Sequence, residues 1–153
     1  MQPYSVPQRG FTMLEMLVVM AIAGMLLALV VPRFGSAFAG AQFQQQVHDL
    51  NTALNQARNR ASATGKIVRL QLSDSDRSLI DNTGVPVFNW PEDCELVFAD
   101  AEHQPIDGGF ILFIPGAGSN GAALQLIQQR DAQPRRTEFR INWLTGGVSY
   151  AAL

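Results

Sequence analysis

From Phe11 to Val31 every position is apolar or small except Thr12 and Glu15, whereas from Phe43 to Ala61 apolar residues return only at every third or fourth place. The first pattern predicts a helix that is apolar all round, and about 20 such residues suffice to cross a hydrocarbon core of roughly 30 Å. The second puts Phe43, Val47, Leu50, Leu54, Ala57 and Ala61 on one stripe, with Gln, Asn, Asp and Arg between them. That is an amphipathic helix. So regular a stripe also fits a coiled coil, but it covers under three heptads and narrows to alanines, so packing on a sheet is expected. Gly65 is the C-cap candidate, and Pro32 is expected to bend or break the junction between the two helical segments.

After Gly65 the period changes to two. KIVRLQL, CELVFA, GFILFIP, AALQLIQ and TEFRINW read as strands, and LTGGVSYAA turns the last of them back through Gly146 and Gly147. A further short strand is expected around Leu79 and Ile80. In TEFRINW, Thr137, Phe139, Ile141 and Trp143 share one face, expected in the core, while Glu138, Arg140 and Asn142 share the other, expected in water. A helix followed by antiparallel strands predicts an α+β fold with the helix laid on the sheet. The chain divides into residues 1–10, a membrane helix at 11–31, its amphipathic continuation at 32–65 and an antiparallel β domain at 66–153.

Charge and cysteine content narrow the functions. The 153 residues carry a net charge of −2, which argues for neither a polyanion-binding nor a strongly acidic protein. Residues 66–153 hold Lys66 and six arginines against eleven carboxylates, a net −4, so nucleic acid is an unfavoured partner. QRDAQPRR is a local basic patch, read as a solvated loop. Cys94 is the single cysteine, which excludes an intrachain disulfide and clustered-cysteine metal sites.

Candidate chemistry is sparse. GAGSNG, Gly116 to Gly121, spells a G-x-G-x-x-G with Glu138 further on, as in a dinucleotide fingerprint. Such a loop must open a helix, yet AALQLIQQ is short and strand-like, so a hairpin loop with positive-φ glycines is expected instead. His48 beside Asp49 and His103 in DAEHQPIDGG lack spaced second ligands and read as solvated side chains. Asp74 to Asp76 and PEDCE offer carboxylates without the EF-hand spacing. Ser119 lacks a nucleophile elbow. No catalytic residue, cofactor or metal site is predicted.

Glu15 is the anomaly, because a carboxylate inside an apolar run is costly. A secretory signal peptide competes for this segment, with a small-residue cleavage site near VVPRFGSAFAGA, but the run is long for one and Glu15 would lie within it. Arg9 and Arg33 give almost no orientation, and the short N-terminal stub makes an inward N-terminus the default. Glu15 either snorkels to the interface or has a cationic partner. A cut between Gly10 and Phe11 would supply one, the new amino group of Phe11.

RGFTMLEMLVV resembles the class III signal of type IV pilins and type II secretion pseudopilins. The resemblance implies that prepilin peptidase removes residues 1–10 on the cytoplasmic side and N-methylates Phe11, that Glu15 is the assembly carboxylate, and that Pro32 bends the helix. ARNRASATGKIVRLQL, FIPGAGSNGAALQL and FRINWLTGGVSY further resemble the H-type (GspH-like) minor pseudopilins and the FimT-like minor pilins. The lone Cys94 departs from the disulfide-closed loop of many major pilins. What this implies is a non-enzymatic subunit of a type II secretion pseudopilus, anchored once in the bacterial inner membrane with its C-terminal domain in the periplasm. Its implied partners are other major and minor pseudopilins, prepilin peptidase, the inner-membrane assembly platform, and secreted cargo or secretin. A FimT-like minor type IV pilin, which in some relatives binds DNA, is the first alternative; a membrane-anchored periplasmic enzyme is the second.

Overall fold

The computed structural model describes residues 12–73, 75–129 and 134–153, apart from the side chains of 28–39. Among the described residues one helix, α1, runs Met13–Thr64 and is followed by ten strands. It stops where Thr64 Oγ1 donates to the Arg60 carbonyl and Gly65, at φ +66°, donates its N–H to the Ala61 carbonyl. A left-handed glycine satisfies the last helical carbonyls in this way, as expected of Gly65.

The chain forms two compact units, Met1–Ala41 and Gln42–Leu153, divided within α1. In the first, residues 12–27 are exposed throughout. Among the described residues no helix is long and apolar enough to cross a membrane. The expected span at 11–31 lies partly outside the described residues, at Phe11 and in the side chains beyond Leu27.

In the second unit the α1 stripe is buried as its spacing requires: Phe43, Val47, Leu50, Leu54, Ala57 and Ala61 all lie in the core, joined by Ala53. Two antiparallel five-stranded sheets complete it. The first is ordered β3(Pro86–Asn89), β2(Ser78–Asp81), β1(Val68–Ser73), β6(Phe110–Ile114), β7(Gly118–Ser119). The second is ordered β10(Val148–Ala152), β9(Arg135–Ile141), β8(Ala122–Gln128), β4(Cys94–Ala99), β5(Pro105–Ile106). Val68, Leu70, Ile111 and Phe113 from the first sheet join Leu96, Phe98, Leu124, Leu126, Phe139 and Ile141 from the second in one core with the helix stripe. The fold is α+β, an N-terminal helix with antiparallel sheets.

The five strand runs and the short strand at Leu79 form where the period of two places them, and β3, β5 and β7 are additional. GAGSNG is a hairpin connection that contains β7 and leads into β8. Gly116, Gly118 and Gly121 have φ of +69°, +86° and +68°, and no helix follows. A Cβ on Gly118 would overlap the carbonyls of Trp143 and Leu144, and Ser119 N–H donates to the Trp143 carbonyl at 2.9 Å. The loop thus ties the first sheet to the β9–β10 turn of the second. β7 is too short to pair all of β6, and Asn120 completes the edge: its Oδ1 accepts from Leu112 N–H and its Nδ2 donates to the Phe110 carbonyl, each at 2.9 Å.

Two expectations about TEFRINW are corrected. Trp143 is not in the core but 67 % exposed, because β9 ends at Ile141 and the Asn142 side chain accepts from the N–H groups of Leu144 and Thr145 to start a turn. Glu138 does lie on the opposite face from Phe139, but it is not in water. It is 4 % exposed.

Candidate functional site

The N-terminal site begins at the helix cap. Thr12 precedes the first helical residue, and its Oγ1 accepts the Glu15 N–H at 3.3 Å while its carbonyl accepts the same N–H at 3.1 Å. Glu15 is therefore the third residue of α1, exposed, in the turn where unpaired N–H groups favour a negative charge. T-x-x-E is the sequence signature of a capping box. It was legible at Thr12 to Glu15 and adds a local reason for a carboxylate there. Gly10 and Phe11, the predicted cleavage and methylation site, lie outside the described residues. Pro32 falls within the span of α1, and its side chain lies outside the described ones.

On the outer face of the second sheet, the β4–β5 connection brings His103 over Glu138. His103 Nδ1 is hydrogen-bonded to Glu138 Oε2, Arg140 Nε donates to Oε1, and Gln125 Nε2, directly across on β8, reaches Oε2 at 3.3 Å. Gln125 Nε2 also donates to the His103 carbonyl at 2.9 Å. Burial alone would raise the Glu138 pKa, but the bonds from His103, Arg140 and Gln125 outweigh it and hold the carboxyl below its ordinary range. His103 is thus not simply solvated: its side chain is 44 % exposed and clamped, and its backbone takes φ +62°. His48 is exposed, as expected.

The remaining candidates are engaged in holding the fold. Asp81, closing the β2–β3 turn, accepts from Thr83 Oγ1 and N–H, from Val85 N–H, and from Arg60 of α1 at 2.6 Å. Burial pushes its pKa up, yet these donors hold it down at about 2. Glu92 pairs with Arg77, and Asp93 accepts from Gln128 Nε2 at 2.8 Å. Asp76 accepts from Ser73 Oγ, and Asp74 lies outside the described residues. Cys94 is buried, and burial together with Asp93 raises its thiol to about 11, so it stays protonated and unreactive. Ser119 Oγ accepts from Gly121 N–H. Among the described residues no group of three or more His, Cys, Asp or Glu is placed to hold a metal ion. The head thus offers ion pairs that brace loops, and the N-terminal segment offers a capped apolar helix with one carboxylate at its start.

Comparison with curated proteins and with solved structures gives no significant match. Residues 7–31 match the family model of the prokaryotic N-terminal methylation motif, a stretch that contains Gly10, Phe11, Glu15 and the whole apolar run. The chain therefore carries an N-terminal methylation motif, which supports a type IV pilin-like protein, pilin or pseudopilin, ahead of an α+β head.

Proposed function

We propose that the protein is a minor pseudopilin of a type II secretion system, a structural subunit that joins a periplasmic pseudopilus and assists export of folded proteins. The observation that carries this is the methylation motif over residues 7–31. In this reading prepilin peptidase cuts between Gly10 and Phe11 and methylates the Phe11 nitrogen. Residues 11–31 hold the subunit in the inner membrane, then move into the filament core, packing against the helices of neighbours. Pro32 lets that segment change direction relative to residues 32–65.

Glu15 acts at transfer. In lipid an ammonium or a carboxylate alone is costly, and a neighbour's methylated Phe11 amine beside Glu15 neutralises both. The pair gives each arriving subunit a fixed register along an otherwise featureless apolar surface. The net −4 of residues 66–153 favours this reading over a DNA-binding FimT-like minor pilin. Intact mass and N-terminal sequencing test the reading in strains with and without the peptidase. The expected product begins at N-methyl-Phe11 only when the peptidase is present, and Gly10→Trp leaves the precursor uncut. Cleavage near Ala39 or Ala41 rejects the reading. Rescue of secretion in a pseudopilin-deleted strain, or of pilus assembly in a pilin-deleted one, separates the two systems.

A further inference from the structure

The two sheets have four edges, and three of them are closed to an incoming strand. β3 begins at Pro86, and its pairing with β2 slips between Leu79 and Ile80. β5 and β7 are two residues each, and β5 begins at Pro105. Proline, irregular register and brevity are the usual protections of a sheet edge. β10 has none of them. Its five residues, VSYAA, contain no proline and no charge, and pair with β9 in unbroken register.

The ladder also shows which backbone groups remain unpaired. Asn142 N–H donates to the Gly147 carbonyl, and Leu153 N–H donates to the Arg136 carbonyl. In an antiparallel pair such positions alternate, so the Gly147 carbonyl and the backbone groups of Ser149, Ala151 and Leu153 turn toward β9, while Gly147 N–H donates to Thr145 Oγ1. The N–H and C=O of Val148, Tyr150 and Ala152 therefore point away from it, with no partner among the described residues. Tyr150, in contact with the Phe139 ring at 5.4 Å, is still 49 % exposed.

We infer that β10 is an interaction surface for a second copy of this chain, joining the two β10 strands antiparallel about a two-fold axis at Tyr150. β10 is the one described edge long and regular enough to accept a five-residue strand, so a partner of the same kind must present β10 in return. That makes the contact isologous and closed. Val148 of each copy then faces Ala152 of the other and Tyr150 faces Tyr150, so every outward N–H meets an outward C=O. The strand carries no charge to oppose its own image, and an aromatic pair sits at the centre. A single strand pair buries less than the roughly 1,200 Å² of a stable complex. The contact therefore forms where copies are held close together, as by confinement in a bilayer. It rests on the proposed membrane anchor at residues 11–31, and not on which machine the subunit serves.

The test is disulfide trapping in the full-length chain reconstituted in lipid vesicles. Single cysteines replace residues 148 to 152 in turn, and the parent with its buried Cys94 is the blank. Tyr150→Cys is expected to give about ten-fold more dimer than Ser149→Cys or Ala151→Cys, because only the axial position brings like residues within the roughly 7 Å that a disulfide spans. Mixing Ser149→Cys with Ala151→Cys, which keeps Tyr150, should restore trapping as a heterodimer. Adding Ala152→Pro to Tyr150→Cys deletes only an outward N–H, and should cut the yield several-fold while Trp90 fluorescence reports an intact head. Equal yields at all five positions, a maximum elsewhere, no dimer above the blank, or indifference to Ala152→Pro in a folded head would each overturn the inference.

Discussion

Two stretches of α1 obey opposite rules. Over residues 12–27 the large apolar side chains stand in the open, Leu17 at 69 % and Met20 at 76 % exposed, whereas Leu50 and Leu54 are fully buried. Helical geometry is common to both; the arrangement of apolar positions around the axis is not. A stripe can be satisfied by one sheet on one side, and this chain supplies that sheet. A helix apolar all round can be satisfied only by surroundings on every side, lipid or other helices. The contrast separates what folds the head from what places it.

Breaking the contrast from the N-terminal side should have the largest effect. In the proposed assembly, where Glu15 pairs with a neighbour's amine, Glu15→Gln leaves that ammonium unpaired in apolar surroundings, a cost of about 3–5 kcal/mol on the scale of broken buried pairs. The variant is expected to be cleaved and membrane-bound, yet to lose crosslinking to other pseudopilins and rescue of secretion. Wild-type levels of both would leave Glu15 with its capping role alone. Leu54→Ala, from the other side, should cost the head about 2–5 kcal/mol. Leu17→Ala should leave its urea midpoint unchanged, with the buried Trp90 as the fluorescent probe. Equal effects of the two would erase the distinction.

Acid sharpens the comparison next, since it acts on the head. The folded Asp81 pKa of about 2 lies below the ordinary unfolded value. Its stabilisation is therefore complete above pH ~4 and lost as pH falls through the folded pKa, and it is on the order of 2 kcal/mol. Urea titrations at stepped pH should show wild type losing stability over that window and Asp81→Asn, weaker at neutral pH, losing less. Glu138 adds to the same acid loss, its pKa also being lowered. The smallest effect is expected at His103. His103→Ala removes one of three donors to a buried carboxylate, about 1–2 kcal/mol in urea. His103→Asn should cost less than His103→Ala, since asparagine tolerates the positive φ better.

The sequence announces structure where a repeating physical demand acts along it. The stripe from Phe43 to Ala61 and the runs that form β1, β4, β6, β8 and β9 repeat with their element's period, and burial follows it in the stripe, β1 and β6, whereas β8 buries Leu124 to Gln128 without alternation. β5 and β7, two residues each, have no period to detect. Glu138 was misplaced for another reason. Alternation assigns a residue to a face of a sheet, but whether a distant loop covers that face depends on tertiary structure, here on His103 arriving from 35 residues away in sequence. Trp143 was misplaced because alternation was extended past Asn142, whose side chain can cap a turn. At the N-terminal site Thr12 and Glu15 carried a readable cap. The chemistry expected at Gly10 and Phe11 belongs to an encounter with another protein.

Asn120 stands in for a missing strand at the edge of β6, and the next residue is Gly121, which gives it a chemical clock. Asparagine followed by glycine deamidates when the glycine nitrogen attacks the side-chain amide, a reaction that needs both groups free. In the fold Leu112 and Phe110 hold the amide while Ser119 Oγ accepts the Gly121 N–H, so attack is blocked until this corner opens. Once it reacts, a carboxylate faces the Phe110 carbonyl where a donor stood, and the edge cannot close as before. Deamidation at Asn120 would thus require this corner to open first and, once complete, would leave the edge of β6 without its Nδ2 donor.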